Sequence, residues 1–390
     1  MERKTETRPA EVAEELSVEV VTDRQDLDRH RSQWHQLRER SPHAEVFQSY
    51  EWVTSWLDVF WKGKPISFAF VSEGDRLRAV APFVHDTAGE LCCKGGRAVP
   101  NNSKGCSNLL YDGDPFTVLD AIFRHLADQE QSFRVNFGRI RTDSSLNLAF
   151  DSVCREHALW SKSQASETWS IASLSGSWEE YLQSRPTHVR KELRRKEARL
   201  RRKARVAVRV IEAAHDVPGA IRDVVAIERK SWKWSRGLAI SSEQDSTDFY
   251  PLLARRLAPR GWLRIYILEI DGTPAAHIIG AVSKNEILAL TTSFDLTFKD
   301  LSPGTVLFAC ALRGAGENGY ASFNFMSGRA RWKDELSGGT REHFQRCLFS
   351  RIASRCGYCL ARDGFLKPFF RSHLPKIVAA KNWLTTHPPE

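Results

Sequence analysis

The chain has 390 residues, 42% hydrophobic and 27% charged, an ordinary globular composition that excludes a wholly disordered protein and suffices for one large or two medium cores. Its net charge of +9 is concentrated: residues 185–209 hold twelve Lys and Arg against Glu192 and Glu197, a local +10, so the remainder carries −1. A uniformly basic surface is thereby excluded, and the charge reads as one local device.

Met1–Glu15 is polar and lacks the apolar core of a signal peptide. Residues 1–20 are expected to be a disordered leader. Apolar runs such as Trp262–Ile270 and Thr305–Leu312 are too short to span a bilayer. With eight cysteines and no export signal, the expectation is a soluble cytoplasmic protein with reduced thiols. Cys356-x-x-Cys359 is a lone pair, and neither it nor Cys92, Cys93 and Cys106 completes a four-ligand metal set, so no metal is expected.

In chain order, Tyr50–Phe60 is predicted as an aromatic-rich helix and Ile66–Val71 as a strand. Glu73-Gly74-Asp75 is the turn to a return strand, Leu77–His85. A helix begins at Pro115–Leu119, and Arg134–Phe137 is a strand. The basic segment places Val189, Leu193, Leu200 and Ala204 on one stripe, which predicts a long helix touching the body along a narrow seam. Asp216–Lys230 follows as a helix, then the Trp-rich loop Ser231–Asp248 and a second helix, Phe249–Ala258. Trp262–Ile270, Pro274–Ser283 and Glu286–Phe294, joined by Asp271-Gly272 and Lys284-Asn285, predict a three-stranded antiparallel meander. Ser302-Pro303-Gly304-Thr305 opens a helix, Val306–Glu317. Ala321–Met326 is a short strand, and a helical region carries Trp332, Leu336 and the residues beyond.

The two halves share this order. At an offset of 188, Pro115, Thr117, Val118 and Leu119 match Pro303, Thr305, Val306 and Leu307, and Asn136-Phe137 matches Asn324-Phe325. The division expected is a first half over 21–165, a linker over 166–215 holding the basic helix 185–209, a second half over 216–350 and a helical tail over 351–390.

The Ser302–Thr305 turn is the sharpest chemical feature. Glycine permits positive φ and close backbone approach, and the free N–H groups and dipole of the following helix attract an anion such as pyrophosphate. An ordinary capped helix would look much the same. The first-half copy, Asp112-Gly113-Asp114-Pro115, presents two carboxylates and would repel phosphate, so only the second half is expected to hold a phosphorylated donor. His277, mid-strand, and Asp295, after the third strand, are candidate proton relays; each also suits a buried or turn-forming role. Glu228, Trp232, Lys233 and Trp234 are expected to line an acceptor cleft or to pack as a lid.

A meander that ends at a Gly-containing turn and a helix, then another strand, resembles the GNAT acetyltransferase plan. The motifs Phe47-Gln48-Ser49-Tyr50-Glu51-Trp52, Glu228-x-x-x-Trp232-Lys233, Ser302-Pro303-Gly304-Thr305 and Phe323–Lys333 resemble the CelD-like or BioF-like branch, related in fold to the tandem Fem aminoacyltransferases. The resemblance implies an α/β fold of tandem GNAT-like mixed sheets with helices on both faces. It implies acetyl-CoA or another acyl-CoA as donor, with pantetheine along the fourth strand of the second half and pyrophosphate on Ser302, Pro303, Gly304, Thr305 and Val306. Lys333 falls where Fem-type enzymes carry a lysine near the reacting carbonyl, its charge suited to an oxyanion; Trp332 is its aromatic neighbour in the substrate site. Two departures stand out. Asn324 replaces a frequent acid, and residues 327–350 contain no Tyr.

Three functions follow: acyl transfer from acyl-CoA to an amine or hydroxyl of a cell-envelope or polysaccharide precursor, an aminoacyl-tRNA-dependent ligase whose basic helix grips RNA, or a non-catalytic anion-binding scaffold. The small-molecule, lipid-linked or nucleotide-linked acceptor and the anionic partner of the basic helix are left open.

Overall fold

The computed structural model describes residues 15–85, 91–93, 108–129, 133–242, 244–328 and 330–350. In chain order these form β1 (Leu16–Val21), α1 (Arg31–Arg40), α2 (Tyr50–Phe60), β2 (Ile66–Glu73), β3 (Arg76–His85), β4 (Leu91–Cys93), β5 (Leu110–Tyr111), α3 (Pro115–Gln129), β6 (Arg134–Arg141), α4 (Ser145–Glu156) and β7 (Trp160–Ser173). Then come α5 (Trp178–Gln183) and α6 (Thr187–Lys203). The order repeats as β8 (Val206–Ile211), α7 (Val217–Arg229), α8 (Trp232–Ser235), α9 (Gln244–Leu257), β9 (Leu263–Ile270), β10 (Thr273–Ser283), β11 (Glu286–Phe294), α10 (Pro303–Glu317), β12 (Ser322–Asn324), α11 (Arg331–Leu336) and β13 (Gly339–Phe349).

The strands join one continuous mixed sheet in the order β1-β2-β3-β4-β6-β13-β7-β12-β11-β10-β9-β8, with β5 beside β3. The meander β9-β10-β11 is antiparallel throughout, and its first turn has positive φ at both Asp271 and Gly272, the backbone that matches the twist of the strands it joins. The centre is interleaved: β13, from the second half, pairs β6 on one side and β7 on the other, and β7 pairs β12. Helices cover both faces. On one face α1, α2, α7 and α9 share a core in which Trp52 and Phe60 pack on Phe249, with ring centroids 5.6 and 5.2 Å apart. The other face carries two cores, one under α3 and α4, the other under α5, α6 and α10.

Several elements differ from expectation. Leu16–Val21 is a strand, not leader, because it pairs β2 across its whole length. The basic helix ends at Lys203, and Val206–Ile211 forms an edge strand on β9 instead of continuing it. Across the expected boundary between first half and linker, Trp160–Ser173 is a central strand, and Gly339–Phe349 is a strand where a helical region was expected beyond Leu336. The expected seam is present: Val189, Leu193 and Leu200 are buried, whereas Ala204 has left the helix in an extended conformation. The predicted tail over 351–390, with Cys356 and Cys359, lies outside the described residues, as do residues 1–14 and Cys106.

Candidate functional site

In β10 and β11 the pairing steps from Thr291↔Ile279 to Ala289↔Gly280, leaving Leu290 as the extra residue of a β-bulge. Gly280 belongs at that point, since a Cβ there would come within 3.1 Å of the carbonyl oxygens of Arg264 and Leu288. The bulge changes which residues face the α7 side: His277, Thr291 and Ser293 are all buried there. β12 runs parallel to β11 only as far as Asn324↔Leu288, then follows β7, where Phe325 N–H donates to Ser170 O at 2.9 Å. The second half therefore splits between β11 and the chain leaving β12, and the bulge lies at the fork.

Beneath the fork is a buried polar cluster. Lys233 Nζ donates to Glu228 Oε1 at 2.7 Å and to Thr291 Oγ1 at 2.6 Å. His277 Nε2 donates to the same Glu228 oxygen at 3.1 Å, and the other accepts the Ile240 N–H at 2.5 Å. Burial alone would raise the Glu228 carboxyl, yet the His277 hydrogen bond and the Lys233 ammonium hold it down at about 2. Complete burial pushes His277 below its ordinary value, against the opposing pull of the Glu228 carboxylate. Glu228 and Lys233, expected to line an acceptor cleft, instead fasten α8 to β11 from within. Trp232 and Trp234, on either side of Lys233, point to solvent.

Asp295 is buried and caps the helical turn Leu296–Leu301, accepting from Thr297 N–H at 2.8 Å and Thr297 Oγ1 at 2.7 Å; Lys230 Nζ lies 3.3 Å from its second oxygen. Lys333 Nζ donates to the carbonyls of Ser327 at 2.6 Å and Phe325 at 2.8 Å, with Met326 O at 3.5 Å. Burial pushes Lys333 down to about 8. Its hydrogens are spent on the loop that leaves β12, where Met326 has a φ of +60°, rather than offered to an oxyanion.

At the far end of β11, the positive-φ residue of the turn is Ser302, at +55°, not Gly304. A Cβ at Gly304 would sit 3.4 Å from the Phe294 ring, an ordinary van der Waals contact, so neither positive φ nor close approach requires this glycine. α10 begins with Pro303, and Ser302 makes no side-chain cap, so the Gly304 and Thr305 amides have no protein acceptor among the described residues. Thr305 lines a cavity of about 530 Å³ between α6, α10 and α11, together with His188, Lys196, Arg331 and Trp332. The Trp332 ring lies tilted against Phe308, with centroids 4.6 Å apart. The basic helix is thus a wall of this cavity. That could not be read from sequence, because no spacing relates residue 196 to residue 305.

The same position in the first half is closed. Asp114 accepts from the Phe116 and Thr117 amides, each at 3.2 Å, so a carboxylate already fills the end of α3. A larger cavity, about 710 Å³, lies past the ends of β6 and β7, lined by Asp143, Glu180, Arg185 and Arg341.

Residues 187–334 match the family model of the acetyltransferase (GNAT) domain. The match starts at the first residue of α6, so the basic helix is part of the GNAT segment, which also holds the fork and the open end of α10. Among solved structures, FemX aligns over 88% of this chain and 99% of its own at a TM-score of 0.58 and 10% identity. The C-terminal domain of a putative lysylphosphatidylglycerol synthetase from Agrobacterium fabrum aligns over 87% and 96% at 0.52 and 13% identity. A conserved protein of unknown function from Bacteroides thetaiotaomicron aligns over 81% and 97% at 0.51 and 12% identity. These likenesses are of fold. No curated protein matches the sequence. The chain is thus an α/β protein with a GNAT-like fold, in which residues 187–334 match the acetyltransferase (GNAT) domain model.

Proposed function

We propose that the second half transfers an acyl group, most simply acetyl, from acyl-CoA to an amine or hydroxyl acceptor of the cell-envelope or polysaccharide-precursor class, in the manner of the CelD-like branch. One observation carries the donor assignment: the end of α10 is open and Thr305 lines a cavity walled by Lys196 and Arg331, with their partners Glu192 and Glu335 on the same wall, while the equivalent end of α3 is closed by Asp114. The donor's pyrophosphate would lie on the Gly304 and Thr305 amides, with the cations of α6 and α11 beside it. Its pantetheine would run along β11 into the fork. There the acceptor attacks the thioester carbon, the C–S bond breaks, the acceptor loses a proton and the departing thiolate gains one. Since His277 and Asp295 are held in internal hydrogen bonds, the rate follows the acceptor's own ionisation, with β11 backbone N–H groups polarising the carbonyl.

Calorimetric titration with CoA, acetyl-CoA and longer acyl-CoAs tests this. One site per chain is expected; no heat with any of them, or two equal sites, overturns it. A second reading, an aminoacyl-tRNA donor, is favoured by the exposed cations of α6, and charged tRNA competing with CoA would support it.

A further inference from the structure

Three large apolar side chains stand in solvent around the end of β11: Trp232 is 40% exposed, Trp234 48% and Leu296 41%. Their exposure is enforced. Lys233 is drawn inward by Glu228 and Thr291, so the tryptophans on either side of it must face out. Leu296 is brought alongside by its own N–H, which donates to Lys230 O at 3.0 Å. Neither tryptophan stacks on another described ring, and the Arg236 guanidinium lies 5.3 Å over Trp232.

The charge near them is mostly positive: among the described residues Arg229, Lys230, Arg236 and Lys299 are exposed, Lys230 lying 3.3 Å from the buried Asp295, and Asp300 is an exposed carboxylate of the same turn. α6, with its surplus of cations, packs against the same Leu296–Leu301 turn. Indole rings settle at the headgroup level of a bilayer, an aliphatic side chain enters the acyl boundary, and Lys and Arg attract anionic lipid. RNA could use the cations and the tryptophans but has no use for Leu296; a neutral sugar could stack on the tryptophans but has no use for four cations.

We propose that this corner of the second half docks onto an anionic membrane surface. The proposal adds a partner to the acyltransfer reading without requiring it, because vesicle binding is measured without donor; either can fail while the other stands. The full chain is co-sedimented with vesicles of phosphatidylcholine alone and with roughly one-third phosphatidylglycerol. Wild type should pellet with the anionic vesicles, less so as salt rises, and not with the neutral ones. The Trp232→Ser/Trp234→Ser/Leu296→Ser variant should bind at least about tenfold more weakly, with its melting temperature confirming the fold, and Leu296→Ser alone should weaken binding severalfold. Failure of wild type to pellet, or equal binding by a folded triple variant, overturns the proposal. So does a single-stranded RNA that binds wild type while anionic vesicles do not, which would make the corner a nucleic-acid surface.

Discussion

Asp114 and Ser302 occupy equivalent positions, each immediately before the proline that starts a fifteen-residue helix, yet one closes its helix and the other leaves it open. Asp114 supplies an anion to its own amides. Ser302, held at a φ of +55°, supplies none.

Ser302→Asp should therefore convert the open end into the closed one. Aspartate tolerates the left-handed backbone, so the fold should persist while acyl-CoA affinity falls about tenfold or more. Ser302→Asn, neutral and of the same size, should retain most of the affinity. Calorimetry on both separates charge from bulk, and equal losses would count against an anion at α10.

The walls of the donor cavity make a second prediction. Lys196→Gln should lower donor affinity severalfold and flatten its dependence on salt. Changing Arg194, Arg195, Arg201 and Arg202 together to Gln should leave the melting temperature within a few degrees, since the pairs Arg195–Glu192 and Arg201–Glu197 are exposed and such pairs contribute about 0.2–1 kcal/mol. The quadruple variant should weaken vesicle binding and its salt dependence more than donor binding.

Glu228 and Lys233 form the costliest pair to break. Glu228→Leu strands a buried ammonium and should destabilise by about 3–5 kcal/mol, while adding Lys233→Met should recover much of that loss. The pH dependence has a definite sign. With Glu228 at about 2 when folded, against 4.5 as its reference, its contribution is fully present above pH 4.5 and is lost as pH falls towards 2. Denaturant titrations at pH 6 and pH 3 should show a smaller acid loss in the double variant.

Lys333→Met should act first on stability. It removes the ammonium that donates to the carbonyls of Phe325 and Ser327, an expected loss of about 1–3 kcal/mol. Lys333→Arg, unable to reproduce one compact ammonium among three oxygens, should rescue little. A large fall in turnover at unchanged stability would restore Lys333 as an oxyanion group.

The meander and the donor turn were legible because apolar runs, Asp271-Gly272 and the Ser302–Thr305 signature are local. β7 was not. Its sequence, WSKSQASETWSIAS, is polar on both faces for most of its length, and its place as a strand depends on pairing with β13, over 160 residues away. β13 hides in the same way behind Arg341, Glu342, His343 and Arg346. The site was legible to the extent that the Asp114/Ser302 contrast lies in the sequence. The roles of Glu228, Lys233 and Lys333 were not, since a buried ion pair and a surface charge are written with the same letters.

The interleaving of β6, β13, β7 and β12 sets an order of events during synthesis. β6 emerges from the ribosome with residues 134–141, but its partner is residues 343–349, so one side of it waits while about half the chain is made. Such distant pairing is slow to find, and an unpaired edge invites a neighbouring nascent chain. Arg139 and Arg141 on β6, with Lys162 and Glu167 on the equally delayed β7, place charge along those waiting edges, a composition that discourages the wrong partner until the last strand arrives.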